Sequence, residues 1–360
     1  MTPHFVPYDA IGNDIRGMAE HLQRNGYRVN IYAEGIHSAL NGTAEILDLR
    51  RHSFWLDRDV LLIYHHSMGW PLGETVLSQA RCHVAIKHHN VTPPVFFQPY
   101  SEDYTVACKA GQLATSTIAR TPDAKFWVDS QFNAENLIDN GVQSANCYVL
   151  PPFHWTERLA EAPLALDIVQ SCKRLDTTIF LFVGGIKPNK GHARLIQALA
   201  TYVSQINDAV LILPGGSDPR LANYVAGLRT LAVQLGVASK IIFAGTVSDS
   251  QLRAYYFCAD AFLCLSEHEG FCVPLLEAMR FRVPVVAHAC TAIPETLGEA
   301  ALIWDKGDLA SIVESLAICA EHDDHRRALA EAGCQRYIHH YAPARIEDKF
   351  ISLVEEAIEA

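Results

Sequence analysis

No stretch of this 360-residue sequence is an uninterrupted apolar run near the roughly 18 residues a membrane helix needs, and no secretory leader pattern opens it. The expectation is a protein that is soluble or sits peripherally on a membrane. Its ten cysteines include no C-x-x-C pair and no metal-ligand spacing. Cys258, Cys264 and Cys290 lie in apolar runs, as reduced core thiols do, which argues against a disulfide scaffold and for a cytosolic compartment. Basic residues are also short: 29 Lys and Arg face 40 acidic residues, a formal charge of −11, which argues against nucleic acid as the main partner. Internal repeats and low-complexity segments are absent.

What is present is a steady alternation of apolar strands and amphipathic helices. Apolar residues make up 49% of a chain long enough for two domains of ordinary size, and the mean hydropathy is +0.07. The runs Tyr27–Ala33, Asp59–His66, Cys82–His89, Phe126–Ser130 and Tyr148–Phe153 read as strands of a first half, with a helix bearing Ile15, Met18, Ala19 and Leu22 on one face. Met1–Val6 is too short and proline-flanked to read as a strand. A helix is expected over 101–119, and Ser130 is placed to cap another at Asn133–Asp139. From His154 to Lys173 the periodicity fades, which reads as a linker.

In the second half Thr177–Val183, Ala209–Gly216, Lys240–Gly245, Asp260–Leu265, Val283–Ala287 and Ala301–Trp304 read as strands, with helices over 218–235, from Asp308, from Asp323 and over Pro343–Glu359. Ser248 and Gln251 have capping-box spacing. The expected fold class is α/β, two Rossmann-like domains with parallel sheets.

One stretch stands out, Ser266–Met279, reading S-E-H-E-G-F-C-V-P-L-L-E-A-M. A strand enters it, and Pro274 suits a helix start because its missing N–H costs nothing there. A tight loop running into a helix N-terminus gathers unpaired N–H groups and a positive dipole end, which suits phosphate. Glu269 precedes that helix and Glu277 is read into its first turn. Carboxylates bordering an anion site suit hydroxyls of a sugar or a ribose. Paired histidines, His65–His66 and His88–His89, end two neighbouring strands, where open α/β sheets bind ligands. A metal there is disfavoured because no carboxylate partner is evident nearby; satisfied structural histidines are the plainer reading for His65 and His66.

The E-G-F-C-V-P-L-L-E-A-M run resembles the E-x7-E signature of retaining GT-B glycosyltransferases, closest to family 4 (the group 1 type). D-A-I-G-N, H-N-V-T-P-P and D-S-Q-F-N resemble a bacterial polysaccharide subgroup, often mannosyltransferases. The resemblance is strongest from Thr177 to Trp304. It implies two parallel-sheet domains facing across a cleft: an acceptor-binding domain over 1–155, a donor-binding domain over 156–342, and a helix over 343–360 packing back on the first. It implies that Glu269 lies against the transferred sugar, Glu277 binds the ribose, and His89 faces the sugar with backbone and ring. Gly12 and Asn13 would take the loop after the first strand. Gly184, Gly185, Lys187, Lys190, Val247, Gly270, Phe271, Cys272, Val273 and Leu275 would complete the donor contacts, with His89, Lys190 and Glu269 serving the chemistry.

Two positions depart from the family pattern. Cys272 stands where the family has Gly, read as tolerable because only the backbone N–H is needed. Gly185 stands where an Arg neutralises the diphosphate; losing such a contact costs on the order of 2–4 kcal/mol, and Lys187 could compensate. The implied reaction moves a hexose from a nucleoside diphosphate sugar to a glycan or lipid hydroxyl by front-face return, with no cofactor and no metal. The expected setting is cytoplasmic, with peripheral contact at the inner membrane face left open. The alternatives are a sugar-nucleotide epimerase, a phosphorylase, or a catalytically weak sugar-nucleotide-binding partner protein.

Overall fold

The structure, a computed structural model, describes residues 1–7, 9–305 and 309–359. It divides into two units: Met1–Val95, Tyr104–His154 and Tyr341–Ala360 form unit 1, and Phe96–Asp103 with Trp155–His340 form unit 2. The chain changes unit after His154 and again at Tyr341, and residues 96–103, expected within the 1–155 domain, fall in unit 2.

Unit 1 carries β1 (Thr2–Phe5), β2 (Tyr32–Ile36), β3 (Glu45–Ile46), β4 (Leu61–His66), β5 (His83–His88), β6 (Lys125–Val128) and β7 (Cys147–Val149), all paired in parallel. They form sheets ordered β1-β2-β3 and β4-β5-β6-β7. The Met1 amine donates to Ile63 C=O at 2.6 Å and His65 N–H to Met1 C=O at 2.9 Å, which ties the two sheets edge to edge.

The first four residues after Met1 are thus a strand, contrary to the sequence reading: Thr2 pairs with Ala33 and Phe5 with Ile36, and tertiary pairing overrides the flanking prolines. For the same reason β2 starts only at Tyr32, since the residues before it face no partner on β1. The Ala10–Arg24 helix is capped by Asp9, whose carboxylate accepts from Gly12 N–H at 3.2 Å. Gly12 and Asn13 accordingly lie in that helix's first turn, not in a loop ahead of it. The Pro343–Glu359 helix closes unit 1, with Ile346, Phe350, Leu353 and Val354 buried against Met18, Leu22, Trp127 and Phe153.

Unit 2 has β8 (Thr178–Leu181), β9 (Ala209–Pro214), β10 (Ile241–Gly245), β11 (Ala261–Cys264), β12 (Val285–His288) and β13 (Leu302–Trp304), in the order β10-β9-β8-β11-β12-β13, all parallel. From β8 the chain moves one way to β9, and from β11 the other way to β12. The reversal between β8 and β11 opens a crevice at their C-terminal ends. The strands β9 and β11 are buried at every residue, hence their unbroken apolar runs.

The expected linker 154–173 is instead two short helices, Thr156–Glu161 and Leu166–Lys173, which bury Leu159, Val169 and Cys172 beside the Asp249–Cys258 helix. So few turns leave little periodicity to read. The Ser248–Gln251 capping box forms with both of its bonds. The helix expected from Asp308 starts outside the described residues, which resume with Leu309–Glu321. Among the described residues no helix is long and apolar enough to cross a membrane.

Candidate active site

Loops after β8 and β11 meet at the crevice of unit 2 because Gly191 permits it. Its φ is +69°, and a Cβ there would stand 1.9 Å from Leu265 C=O. This close approach sets Lys190 beside Glu269, with Nζ 2.8 Å from Oε1 and 2.7 Å from Oε2. Burial acts to lower the Lys190 ammonium, but the Glu269 carboxylate outweighs it and holds Lys190 above the ordinary lysine value.

Polar bonds at several points hold the acidic loop. Glu267 N–H donates to Asn189 C=O at 2.8 Å, and the Asn189 amide donates to His268 C=O at 3.1 Å. The Thr291 hydroxyl accepts from Glu269 N–H at 2.9 Å and donates to Glu269 C=O at 2.7 Å. Thr296 donates to Phe271 C=O at 3.1 Å.

Helix Val273–Arg280 follows, with Pro274 as its second residue. Cys272, at the N-cap, has φ 76° and ψ 71°, the left-handed region. The family's glycine at this place answers a backbone need, so the reading that only the N–H matters there is corrected. Leu275 is also corrected in detail: its side chain is fully buried and its N–H donates to Cys272 C=O at 3.0 Å, so it builds the turn. Glu277 lies in the helix's second turn, not its first. Burial raises its carboxyl to about 7, and the Tyr256 hydroxyl, donating to Oε2 at 2.7 Å, holds it from rising further.

Gly184 and Gly185 lie flat against Gly215 and Gly216 in the loop after β9. Gly184 N–H donates to Pro214 C=O at 3.0 Å, Ile186 N–H to Gly216 C=O at 2.9 Å, and a Cβ on Gly215 would meet Gly184 C=O at 1.9 Å. A Cβ on Gly185 would meet only ordinary contacts, Gly216 C=O at 3.6 Å and Lys187 Cε at 3.9 Å. The Lys187 stem therefore runs beside Gly185. Val247 is half-buried just past β10, beside Thr246, whose Oγ1 would stand 3.0 Å from a Cβ on Gly216.

Gly12, Asn13 and His89 belong to unit 1. A Cβ on Gly12 would stand 2.4 Å from Val6 C=O, so glycine is required for the chain to enter its helix beside β1. Asn13 accepts from Arg16 at 2.7 Å. The ring of His89 does not face outward: Nδ1 lies 3.0 Å from Asp129 Oδ2 and Nε2 lies 3.0 Å from His65 Nδ1. The expectation that its ring faces a sugar is corrected, since both nitrogens are engaged within unit 1, and its backbone N–H likewise donates to His66 C=O at 2.9 Å.

Sequence reasoning missed the residues behind His89. Lys87 is fully buried and its ammonium binds Asp129 and Leu150 C=O. Asp14 is fully buried, and its Oδ1 accepts from Phe153 N–H at 2.7 Å. Burial raises Asp14 to about 6, against the pull of Lys87 and His89. Burial also works to raise Asp129, but Lys87 and His89 prevail and hold it at about 2. The signal was a lysine inside the apolar strand Cys82–His89, where an unpaired charge is untenable.

Residues 167–336 match the family described as "Glycosyl transferases group 1". A "GDP-mannose-dependent alpha-(1-6)-phosphatidylinositol monomannoside mannosyltransferase" of Mycobacterium tuberculosis is 28% identical over 200 residues, 53% of this chain and 51% of that protein. An "O-antigen chain mannosyltransferase B" of Escherichia coli is 32% identical over 164 residues, 42% of this chain and 39% of that protein. The chain spans about half the length of the curated relatives it matches. The crystal structure of Anabaena HepE in complex with UDP-glucose superposes with a TM-score of 0.75 at 15% identity, covering 99% of this chain and 100% of that one, a likeness of fold. The family match thus lies over residues 167–336, within unit 2, and is to the group 1 glycosyltransferases, while the two parallel-sheet Rossmann-like units share the fold of the HepE structure.

Proposed function

We propose that the chain is a retaining glycosyltransferase that moves a hexose, mannose foremost, from a nucleoside diphosphate sugar to a hydroxyl of a glycan or glycolipid acceptor. The observation that carries this reading is the Lys190–Glu269 pair, held at 2.7 Å at the strand-order reversal and followed by the Val273–Arg280 helix. Breaking the sugar–phosphate bond leaves negative charge on the diphosphate and positive charge on the sugar. Lys190, Lys187 and the helix N-terminus answer the first; Glu269 lies against the sugar and answers the second. Glu277 takes the ribose hydroxyls, with Tyr256 fixing its carboxylate.

Lys187 takes the place of the missing arginine, and its stem beside Gly185 supports that substitution. The leaving phosphate accepts the acceptor's proton on the front face, so the transfer needs no side-chain nucleophile and no metal. The mannose preference is supported by the names of the two mannosyltransferase relatives. The reaction is placed in the cytoplasm, with a lipid-linked acceptor met at a membrane face. A nucleotide-sugar-binding partner without turnover is the second reading, favoured only by Gly185. Incubation with GDP-mannose, UDP-glucose and ADP-glucose in the presence of glycan and lipid-linked acceptors decides between them. Release of nucleoside diphosphate with an axially linked, retained product by NMR supports the enzyme; binding without release over any acceptor supports the partner.

A further inference from the structure

His65 is the penultimate residue of β4, His89 follows β5 one strand over, and Asp14 comes from the Ala10–Arg24 helix, so three separate elements of unit 1 converge on one point. His65 Nδ1 is 3.0 Å from His89 Nε2, while Asp14 Oδ2 is 4.0 Å from the first and 3.7 Å from the second. A point equidistant from the three atoms lies about 2.1 Å from each, within the range of zinc–imidazole and zinc–carboxylate bonds, about 2.0–2.2 Å.

Two further observations point to a ligand. Asp14 Oδ2 is buried with no hydrogen-bond partner among the described residues, although it faces two ring nitrogens. A buried carboxylate oxygen left in that state is costly unless something else satisfies it. The far nitrogen of His89 is fixed by Asp129, whose other oxygen holds the Lys87 ammonium. A histidine whose second nitrogen is anchored by a carboxylate is the outer support that metal-ligating imidazoles use. The strand-end histidines, set aside for want of carboxylates, are thus met by Asp14 and Asp129.

We propose that Asp14, His65 and His89 bind one divalent cation of the zinc class, as a structural clamp joining the first helix of unit 1 to the ends of β4 and β5. Two imidazoles and a single carboxylate select zinc and its first-row neighbours over magnesium and calcium, which take oxygen sets. With His89 Nδ1–H donating to Asp129, its Nε2 is an acceptor and the hydrogen between the rings is His65's. Binding moves that proton from His65 Nδ1 to its Nε2, and the two rings turn to present both lone pairs to the ion.

The full chain, without a histidine tag, is stripped with chelator and titrated with Zn²⁺ in a calorimeter and with Co²⁺ in a spectrophotometer. Seventeen histidines make weak surface binding certain, so the comparison of variants decides. The expected result is one tight equivalent per chain with a visible Co²⁺ band, a rise of several degrees in Tm with Zn²⁺, and loss of all three in both Asp14→Asn and His65→Gln. The exposed-site control His325→Gln keeps them. Absence of a tight equivalent in the wild type, or its survival in His65→Gln, overturns the proposal; should Asp14→Asn fail to fold, His65→Gln and the Co²⁺ band decide alone.

Discussion

At Glu277 a single carboxyl links stability to the ribose binding proposed for it. Its value in the folded chain, about 7, lies above the 4.5 of an exposed glutamate, so folding takes up a proton between those limits. This contribution to stability is complete below the lower value and is lost as pH rises through the upper one, on the order of 2 kcal/mol. Denaturant titrations from pH 4.5 to 8 should show that decline in the wild type and a flatter curve in Glu277→Gln. Ribose hydroxyls need the ionised carboxylate, so nucleotide affinity should rise through the same window. Tyr256→Phe removes a donor to that carboxylate and should move the midpoint of the affinity profile to higher pH, a shift that mere loss of packing would not produce. At Cys272 the backbone is left-handed in a residue with a Cβ. Cys272→Gly should therefore be at least as stable as Cys272→Ala, by about 1 kcal/mol in chemical denaturation, although alanine fills more space.

At the scale of the loop, Gly191 carries the site. With 1.9 Å between a would-be Cβ and Leu265 C=O, Gly191→Ala must push the 184–191 loop off the end of β11 and part Lys190 from Glu269. The expected result is a stability loss of about 2 kcal/mol or more and a loss of nucleotide binding beyond tenfold, read by denaturation and calorimetry on the same preparation. Elements built from local rules were legible in the sequence: the capping box at Ser248, the Ser130 cap, the apolar runs of β9 and β11, and the bounds of the last helix. Elements fixed by distant partners were not. β1 exists because Thr2–Phe5 meets Ala33–Ile36, and the two helices of 156–173 because other helices cover them. The same divide runs through the site. E-x7-E announces Glu269 and Glu277 because both lie on one short segment, whereas Tyr256, Thr291 and the carboxylates behind His89 come from elsewhere in the chain.

At the scale of the whole molecule, unit 1 is assembled from both ends of the chain. Phe350, fully buried on the last helix, stands edge-on to Trp127 with ring centroids 5.7 Å apart and to Phe153 at 5.3 Å. Phe350→Ala should cost about 3–5 kcal/mol, measured by denaturant unfolding followed through tryptophan fluorescence, despite lying far along the chain from the strands it covers. Unit 2 holds the residues proposed to bind the phosphates and ribose, and nucleotide binding there tests the proposed function. Calorimetric titration of the wild type and Glu277→Ala with GDP, UDP, ADP and their sugar conjugates gives the answer. The account predicts micromolar binding of one nucleotide, GDP foremost, weakened at least tenfold in the variant; no binding of any nucleotide, or equal binding by the variant, would contradict it.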